Sequence, residues 1–400
     1  MGQVVKYIAP QLTFPLTHLI NLSLKAGIFP DKLKKAVITP IYKNGEKKSV
    51  KNYRPISVLS VFSKIYERVA YKQLITFLNS YNILSPQQFG FRNGFSSDYA
   101  LISTMDHIIS ELNNRNSIIA LGLDIRKAFD TINHKILIEK MDHYGIRNVT
   151  LSWFRSYLEH RTHQVKIDTY FSKEELITCG VPQGSILGPL LFILYLNDFV
   201  NVNPNNHNVL YADDTNIFFT TDPNAQNVDR INIQLDYLNK WFAVNHLSLS
   251  HEKTNYMFFS NNRPPENIML KIGNCILSQV RAAKFLGVMI DDKLTWIDHI
   301  EYIKKKVSKC ISIIFKVRYL LSSRWKLKLY KTFVLPLFNY CNIVWGSAPI
   351  SHLRSLLVSQ KKVLKMSLNL HRYTPTDFVY ESSGCHSINN INKIHCCIFV

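Results

Sequence analysis

Two groups of carboxylates in this 400-residue chain have the types and spacing to do chemistry. Asp124 ends the short apolar run SIIALGLD (117–124), which reads as a strand, and IRKAFD follows it. Asp213 and Asp214 sit in Tyr211-Ala-Asp-Asp, between short apolar strands expected at 208–211 and 216–220. Adjacent Asp side chains in a tight hairpin are costly unless something positive neutralises them. Mg²⁺ suits them, being a hard cation that takes carboxylate oxygens and substrate phosphates. A third carboxylate on a neighbouring strand gives a site for two metals about 3.5–4 Å apart. One would lower the pKa of an attacking hydroxyl, and the other would hold a triphosphate and stabilise the leaving pyrophosphate. Either motif alone is weak. A YxDD quartet is most often a surface turn, and a strand-end Asp is as readily the N-cap of a following helix.

Composition narrows what such a centre would serve. Lys plus Arg outnumber Asp plus Glu by 48 to 28, a net charge of +20, with 46% hydrophobic and 19% charged residues. That excludes a disordered polyelectrolyte and points to a folded chain with a polyanionic partner. Pro10 and Pro15 interrupt the N-terminal apolar stretch, so it does not read as a signal peptide. The most apolar run, 190–196, is far too short to span a bilayer. The charge is therefore assigned to nucleic acid and not to a membrane. Seven cysteines without a CxxC pair fit a reducing interior, so the expected location is intracellular, nuclear or cytoplasmic, and not secreted.

The elements that must position the carboxylates follow from periodicity and punctuation. Helices are expected at 11–29 (ending near Gly27), 57–79, 98–114, 134–144, 151–160, 189–199 and 226–245. A strand broken at Pro40 is expected at 36–43, a strand pair at 164–167 and 175–179, and further strands at 257–260 and 282–290. RPPE (263–266) reads as a turn and a subdomain edge. Beyond it the character changes: residues 291–370 hold 15 Lys/Arg against 4 Asp/Glu. Ile297, Ile300, Ile303, Val307, Ile311 and Ile314 share one helical face there, while Lys304, Lys305, Lys306 and Lys309 lie largely off it. This reads as a basic helical subdomain, either a solvated face or a phosphate-tracking surface.

Order and company raise the carboxylates above chance. NYRPISVLSVFSKIYERV (52–69), QFGFRNGFSSDYAL (88–101), LDIRKAFDTINH (123–134), GVPQGSILGPLLFILYLND (180–198), YADDT (211–215), LSLSHEKT (247–254) and KFLGVMID (284–291) occur in sequence, trailed by WIDHI (296–300) and WG (345–346). In this ordered set the chain resembles the reverse transcriptases of non-LTR (LINE-type) retrotransposons, in the jockey-like style. The resemblance implies an α+β, right-hand polymerase fold with fingers, a palm of antiparallel sheet plus helices, and a helical thumb. It divides the chain into an N-terminal segment and fingers (1–120), mainly palm with primer grip (121–290), thumb (291–370) and C-terminal tail (371–400), with the reverse transcriptase domain itself over about 30–290.

Roles follow from the same resemblance. Asp124, Asp213 and Asp214 would hold two Mg²⁺ ions, with Mn²⁺ as substitute, and the backbone carbonyl of Ile125 would face a metal. Phe129 would pack under the incoming sugar and exclude a 2′-OH; without its neighbours it is an ordinary core Phe. Asp130 matches the block but carries no assigned role. Gln183 and Gly184 would lie beside the nucleotide, Gly184 for close backbone approach. Arg92 stands between a triphosphate contact and a solvent-facing Arg. Lys253 would protonate the leaving pyrophosphate as general acid. Phe285, Leu286 and Gly287 match the primer-grip turn.

The implied activity is RNA-directed DNA synthesis from dNTP on a primer 3′-OH, with an RNA template and a DNA primer as partners. No endonuclease or RNase H motif is visible, so the chain is expected to be a truncated copy. The alternative is a catalytically silent relic or a domesticated nucleic-acid-binding protein. A group II intron or telomerase-type polymerase shares the palm motifs, but the block spacing and the KFLGV–WxxHI tail argue against both. Cys385, His386, His395, Cys396 and Cys397 lack zinc-knuckle spacing.

Overall fold

Two helices open the chain, α1 (Gly2–Tyr7) and α2 (Ala9–Ala26), and α2 closes on Gly27 in the left-handed conformation. The computed structural model describes residues 2–223, 227–250, 252–262 and 268–399; the RPPE turn expected at 263–266 lies outside them. Next comes a hairpin, β1 (Lys35–Tyr42) and β2 (Tyr53–Val58). β1 is not broken at Pro40. Pro40 faces Pro55 across the hairpin, and the parallel pairing of β1 with residues 162–165 ends at Ile38, so neither proline interrupts a ladder that needs its missing N–H.

Helix α3 (Val61–Ser80) begins later than 57, because Arg54-Pro55-Ile56-Ser57 is strand; Ser60 caps it by accepting from the Ser63 amide. Then follow α4 (Ser97–Asn113), β3 (Ser117–Asp124), α5 (His134–His143) and α6 (Asn148–Leu158). The strand pair appears as β4 (Thr162–Ile167), with the short β5 (Tyr170–Phe171) and β6 (Glu175–Leu176) against it. β4 also joins β1 in parallel. α7 (Gly188–Tyr195) is buried on nearly every side, which is why it is apolar all round.

The chain continues through β7 (His207–Tyr211), β8 (Asp214–Thr221), α8 (Val228–Val244), β9 (Asn255–Phe259), the small hairpin β10 (Lys271–Ile272) and β11 (Cys275–Ile276), and β12 (Ser278–Gln279). The central sheet has the order β12-β9-β3-β8-β7, so β3 lies in its middle. A second hairpin, β13 (Ala282–Phe285) and β14 (Val288–Asp291), leads into the C-terminal helices. These are α9 (Ile297–Lys316), α10 (Ser323–Leu329), α11 (Leu335–Asn339), α12 (Asn342–Trp345), α13 (Ile350–Leu368), α14 (Thr376–Ser383) and α15 (Ile388–Phe399).

Strand alternation divides the core. Ile119, Leu121, Ile217, Phe219 and Phe258 pack with α3, α5, α7 and α8. On the other face, Ile118, Phe218, Met257 and Phe259 share one core with α4, the β13–β14 hairpin and the C-terminal helices. The C-terminal segment 371–400 carries α14 and α15. Val379, Ile388 and Ile391 are buried in that second core, and the Phe399 ring lies 4.9 Å from Tyr99 of α4. Among the described residues no helix is long and apolar enough to cross a membrane.

Candidate active site

The register of the central sheet brings the carboxylates together. Asp124 pairs directly with Asp214 across β3 and β8, and directly opposed residues share a face. Tyr211 pairs with Asp214, leaving Ala212 and Asp213 as the turn. Ala212 takes φ +58°, a left-handed conformation that costs a non-glycine residue roughly 1–2 kcal/mol.

The residue that secures this turn is Gln88, to which the sequence reading gave no role. It is almost wholly buried, and its Oε1 accepts from the amides of Gly90 (2.8 Å) and Ala212 (3.2 Å). Residues 87–89 run beside β7: Leu210 N donates to Gln87 O at 2.9 Å, and Phe89 N to Leu210 O at 2.8 Å. Gly90 has no room for a side chain, because a Cβ there would lie 2.2 Å from the Ala212 nitrogen. The QFG of the second block is thus a socket for the Asp-bearing turn.

Burial raises the Asp214 pKa, and the neighbouring charges of Asp213 and Asp124 add to it. Lys253 answers part of that excess charge, with Nζ 3.1 Å from Asp124 Oδ2. A short zip positions it: Arg126 N donates to Ser248 O and Ser250 N to Asp124 O, each at 2.8 Å, and Ile125 bridges Leu249. Three carboxylates fit a hard divalent cation in kind. Among the described residues no three His, Cys, Asp or Glu side chains are close enough to hold one unaided. Mg²⁺ typically needs only one or two carboxylates plus phosphate and water oxygens, so the donor set suits that ion with its substrate.

Asp124, Asp214, Lys253 and Phe285 line one cleft of about 440 Å³, together with Gly122, Asn216, Asn255 and Lys284. The primer-grip match is a tight turn with Leu286 at φ +45° and Gly287 at φ +86°. Tyr340, from beyond α11, donates its hydroxyl to Leu286 O at 2.6 Å. A Cβ at Gly287 would meet the Tyr340 ring at 3.1 Å, so the glycine serves this close approach as well as the turn.

Gln183 does not line that cleft; it lines a separate one with Ser57, Asp130 and Pro182, and Gly184 follows it in the chain. Gln183 Nε2 donates to Asp130 Oδ1 at 2.8 Å, and its carbonyl accepts from Ser57 N at 2.7 Å. This gives Asp130 the role the sequence left blank: it fixes the Gln183 side chain, although burial raises its own pKa. A Cβ at Gly184 would lie 2.7 Å from Ser57 O. Glu67, fully buried on α3, anchors the next stretch by accepting from the amides of Ile186 (2.6 Å) and Leu187 (3.4 Å) and the hydroxyl of Ser63 (3.1 Å). Phe129 is half-buried, stacked on Phe192 at 4.5 Å and edge-on to Phe91 at 6.1 Å. Arg92 is spent largely on its own loop. Its Nη1 donates to Ser85 O (2.6 Å) and Gln88 O (3.2 Å), and its guanidinium covers Phe95 at 4.3 Å.

Opposed carboxylates at the ends of two central antiparallel strands, backed by helices and flanked by a hairpin layer and a helical bundle, define the right-hand polymerase fold. An apo telomerase from Candida tropicalis shares it at a TM-score of 0.50 and 14% identity, over 90% of this chain and 59% of that one. The chain belongs to the reverse transcriptase (RNA-dependent DNA polymerase) family, whose model matches residues 43–290. It is 29% identical to a probable RNA-directed DNA polymerase from transposon X-element of Drosophila melanogaster, over 96% of this chain and 44% of the relative. It is also 29% identical to the RNA-directed DNA polymerase from mobile element jockey of the same organism, over 91% and 41%. The chain thus spans about two-fifths of the length of the curated relatives it matches.

Proposed function

We propose that the chain is an RNA-directed DNA polymerase of a non-LTR retrotransposon, joining dNMP units to a primer 3′-OH on an RNA template. The direct pairing of Asp124 with Asp214, with Asp213 in the turn beside them, carries this reading. Residues 1–120 would serve as N-terminal segment and fingers, 121–290 as palm and 291–370 as thumb.

Asp124, Asp213 and Asp214 would hold divalent ions, Mg²⁺ by preference. Bound there, such ions would neutralise phosphate charge and acidify the primer hydroxyl. The chain's own groups do the rest. Lys253, held beside Asp124, would donate a proton to the departing pyrophosphate. Phe129, braced from behind by Phe192, gives a flat, stiff floor for the sugar and opposes a 2′-OH. Gln183, fixed at both its amide and its backbone, orients the base pair or sugar edge without having to be ordered at each cycle. The 285–287 turn, clamped by Tyr340, seats the primer end. Arg92 contributes chiefly by shaping the loop beside the catalytic turn, and any phosphate contact comes second.

The test is primer extension on an RNA template with labelled dNTP and, in parallel, rNTP, first in Mg²⁺ and then in Mn²⁺. Extension with dNTP, and a relaxed preference against rNTP in Phe129→Ala, is the expected result. A folded chain that binds RNA but extends nothing in either metal would instead support the silent nucleic-acid binder.

A further inference from the structure

From residue 302 to 376 the chain has 15 Lys and Arg and not one Asp or Glu. Over most of that span the charges lie on helices. The turn joining α9 to α10 differs, because aromatic rings are interleaved with the charges and point outward. Tyr319 is 84% exposed, Trp325 54% and Phe315 51%. The helix core does not need them: the inward face of α9 is filled by Ile300, Ile303, Val307 and Ile314.

Two of the rings are already held together through Arg318. The Arg318 guanidinium lies 3.6 Å over Phe315 and 4.2 Å over Tyr319, and its Nη1 is pinned to the Phe315 carbonyl at 2.7 Å. Lys328 Nζ sits 5.0 Å over Trp325. Exposed rings gathered on one short stretch mark a candidate interaction surface. An acid-free, basic surround selects a polyanion as that partner. A duplex hides its base faces and would use only the Lys and Arg side chains. Unpaired bases offer π-faces that extend a ring–guanidinium–ring stack.

We propose that the α9–α10 turn, through Phe315, Arg318, Tyr319 and Trp325, is a stacking platform for the unpaired bases of a single-stranded nucleic acid. This goes beyond nucleotide transfer. The platform is a binding surface that would act whether or not the carboxylate centre turns over, for instance on template not yet copied.

The test uses the full chain and fluorescence anisotropy with four probes: oligodeoxythymidylate of about 12 nucleotides, an abasic oligomer with the same phosphates, a duplex of that length, and vesicles of phosphatidylcholine with phosphatidylserine. Stacking is worth about 1–3 kcal/mol per base, so Tyr319→Ala with Trp325→Ala should weaken the thymidylate at least about ten-fold. The abasic oligomer and the duplex should stay within about two-fold. Tyr319→Phe with Trp325→Phe should bind as wild type, which separates stacking from misfolding. Asp213→Asn should also bind as wild type, so an inactive polymerase does not count against the platform. Equal loss for all nucleic-acid probes, or no loss for the thymidylate, would overturn the proposal. Loss confined to the vesicles would also overturn it and assign the surface to an anionic membrane.

Discussion

Gln88 and Gly90 show how a left-handed alanine comes to sit beside the putting-together of two aspartates. Replacing Gln88 by Leu strands two buried amides, at a cost of roughly 1–3 kcal/mol each. Adding a methyl at Gly90 drives it into the Ala212 backbone, and such overpacking costs about 1–3 kcal/mol or more. We expect both Gln88→Leu and Gly90→Ala to lower the unfolding temperature and to cut the rate of nucleotide incorporation more than the affinity for RNA; unaltered incorporation in either would contradict the socket. Buried and half-buried histidines, His107, His134, His207 and His299, make stability depend on pH, the last two most strongly. Burial, with the adjacent His107 and against the pull of Asp106, holds His207 down to about 4, and burial with Lys306 nearby holds His299 down to about 4. The folded chain keeps both neutral, while an unfolded histidine takes a proton below about 6.5. Their stabilisation is complete above about 6.5 and is lost as pH falls toward about 4. Thermal unfolding followed from pH 7.5 to 5 should show a falling midpoint, less steep in His207→Gln with His299→Gln. A flat midpoint in wild type would rule this out.

Between elements, what the sequence disclosed depended on how local each signal was. The run 117–124 was legible as a strand ending in a carboxylate because its apolar residues and its terminus are contiguous, and the structure places β3 at those bounds. The face of α9 was legible from its spacing, though Ile297 at its start stays exposed. Sequence alone marks β1 as broken because a proline's cost depends on what lies opposite, and Pro55 lies opposite. The parallel joining of β1 to β4 spans more than a hundred residues and leaves no local trace. The same holds for Tyr340, whose hydroxyl reaches the 285–287 turn at Leu286, 54 positions away. We expect Tyr340→Phe to raise KM for primer with little change in KM for dNTP, by the roughly 1 kcal/mol of one hydrogen bond. Gly287→Ala should do more, since the residue must hold a positive φ against the same ring. A shift in dNTP KM alone would move the turn's role from primer to nucleotide.

Across the whole molecule, the charge and the two-sided sheet belong together. One face of the central sheet is packed by the helices of the first core, and the other runs without a break into the basic C-terminal bundle. That continuity means α14 and α15 support the bundle, so removing residues 371–400 should destabilise it and not simply trim a tail; circular dichroism of the shortened chain checks this. On the proposed reading, the net charge of +20 should make RNA binding weaken steeply with added salt. The most direct measurement of the catalytic reading is single-turnover incorporation of one dNTP on an RNA–DNA primer-template in Mg²⁺, by wild type and by Asp124→Asn, Asp213→Asn and Asp214→Asn. Wild type should incorporate, and each variant should lose at least about 10²-fold in rate while keeping its RNA affinity. Incorporation by Asp213→Asn at the wild-type rate, or none by a folded, RNA-binding wild type, would contradict it.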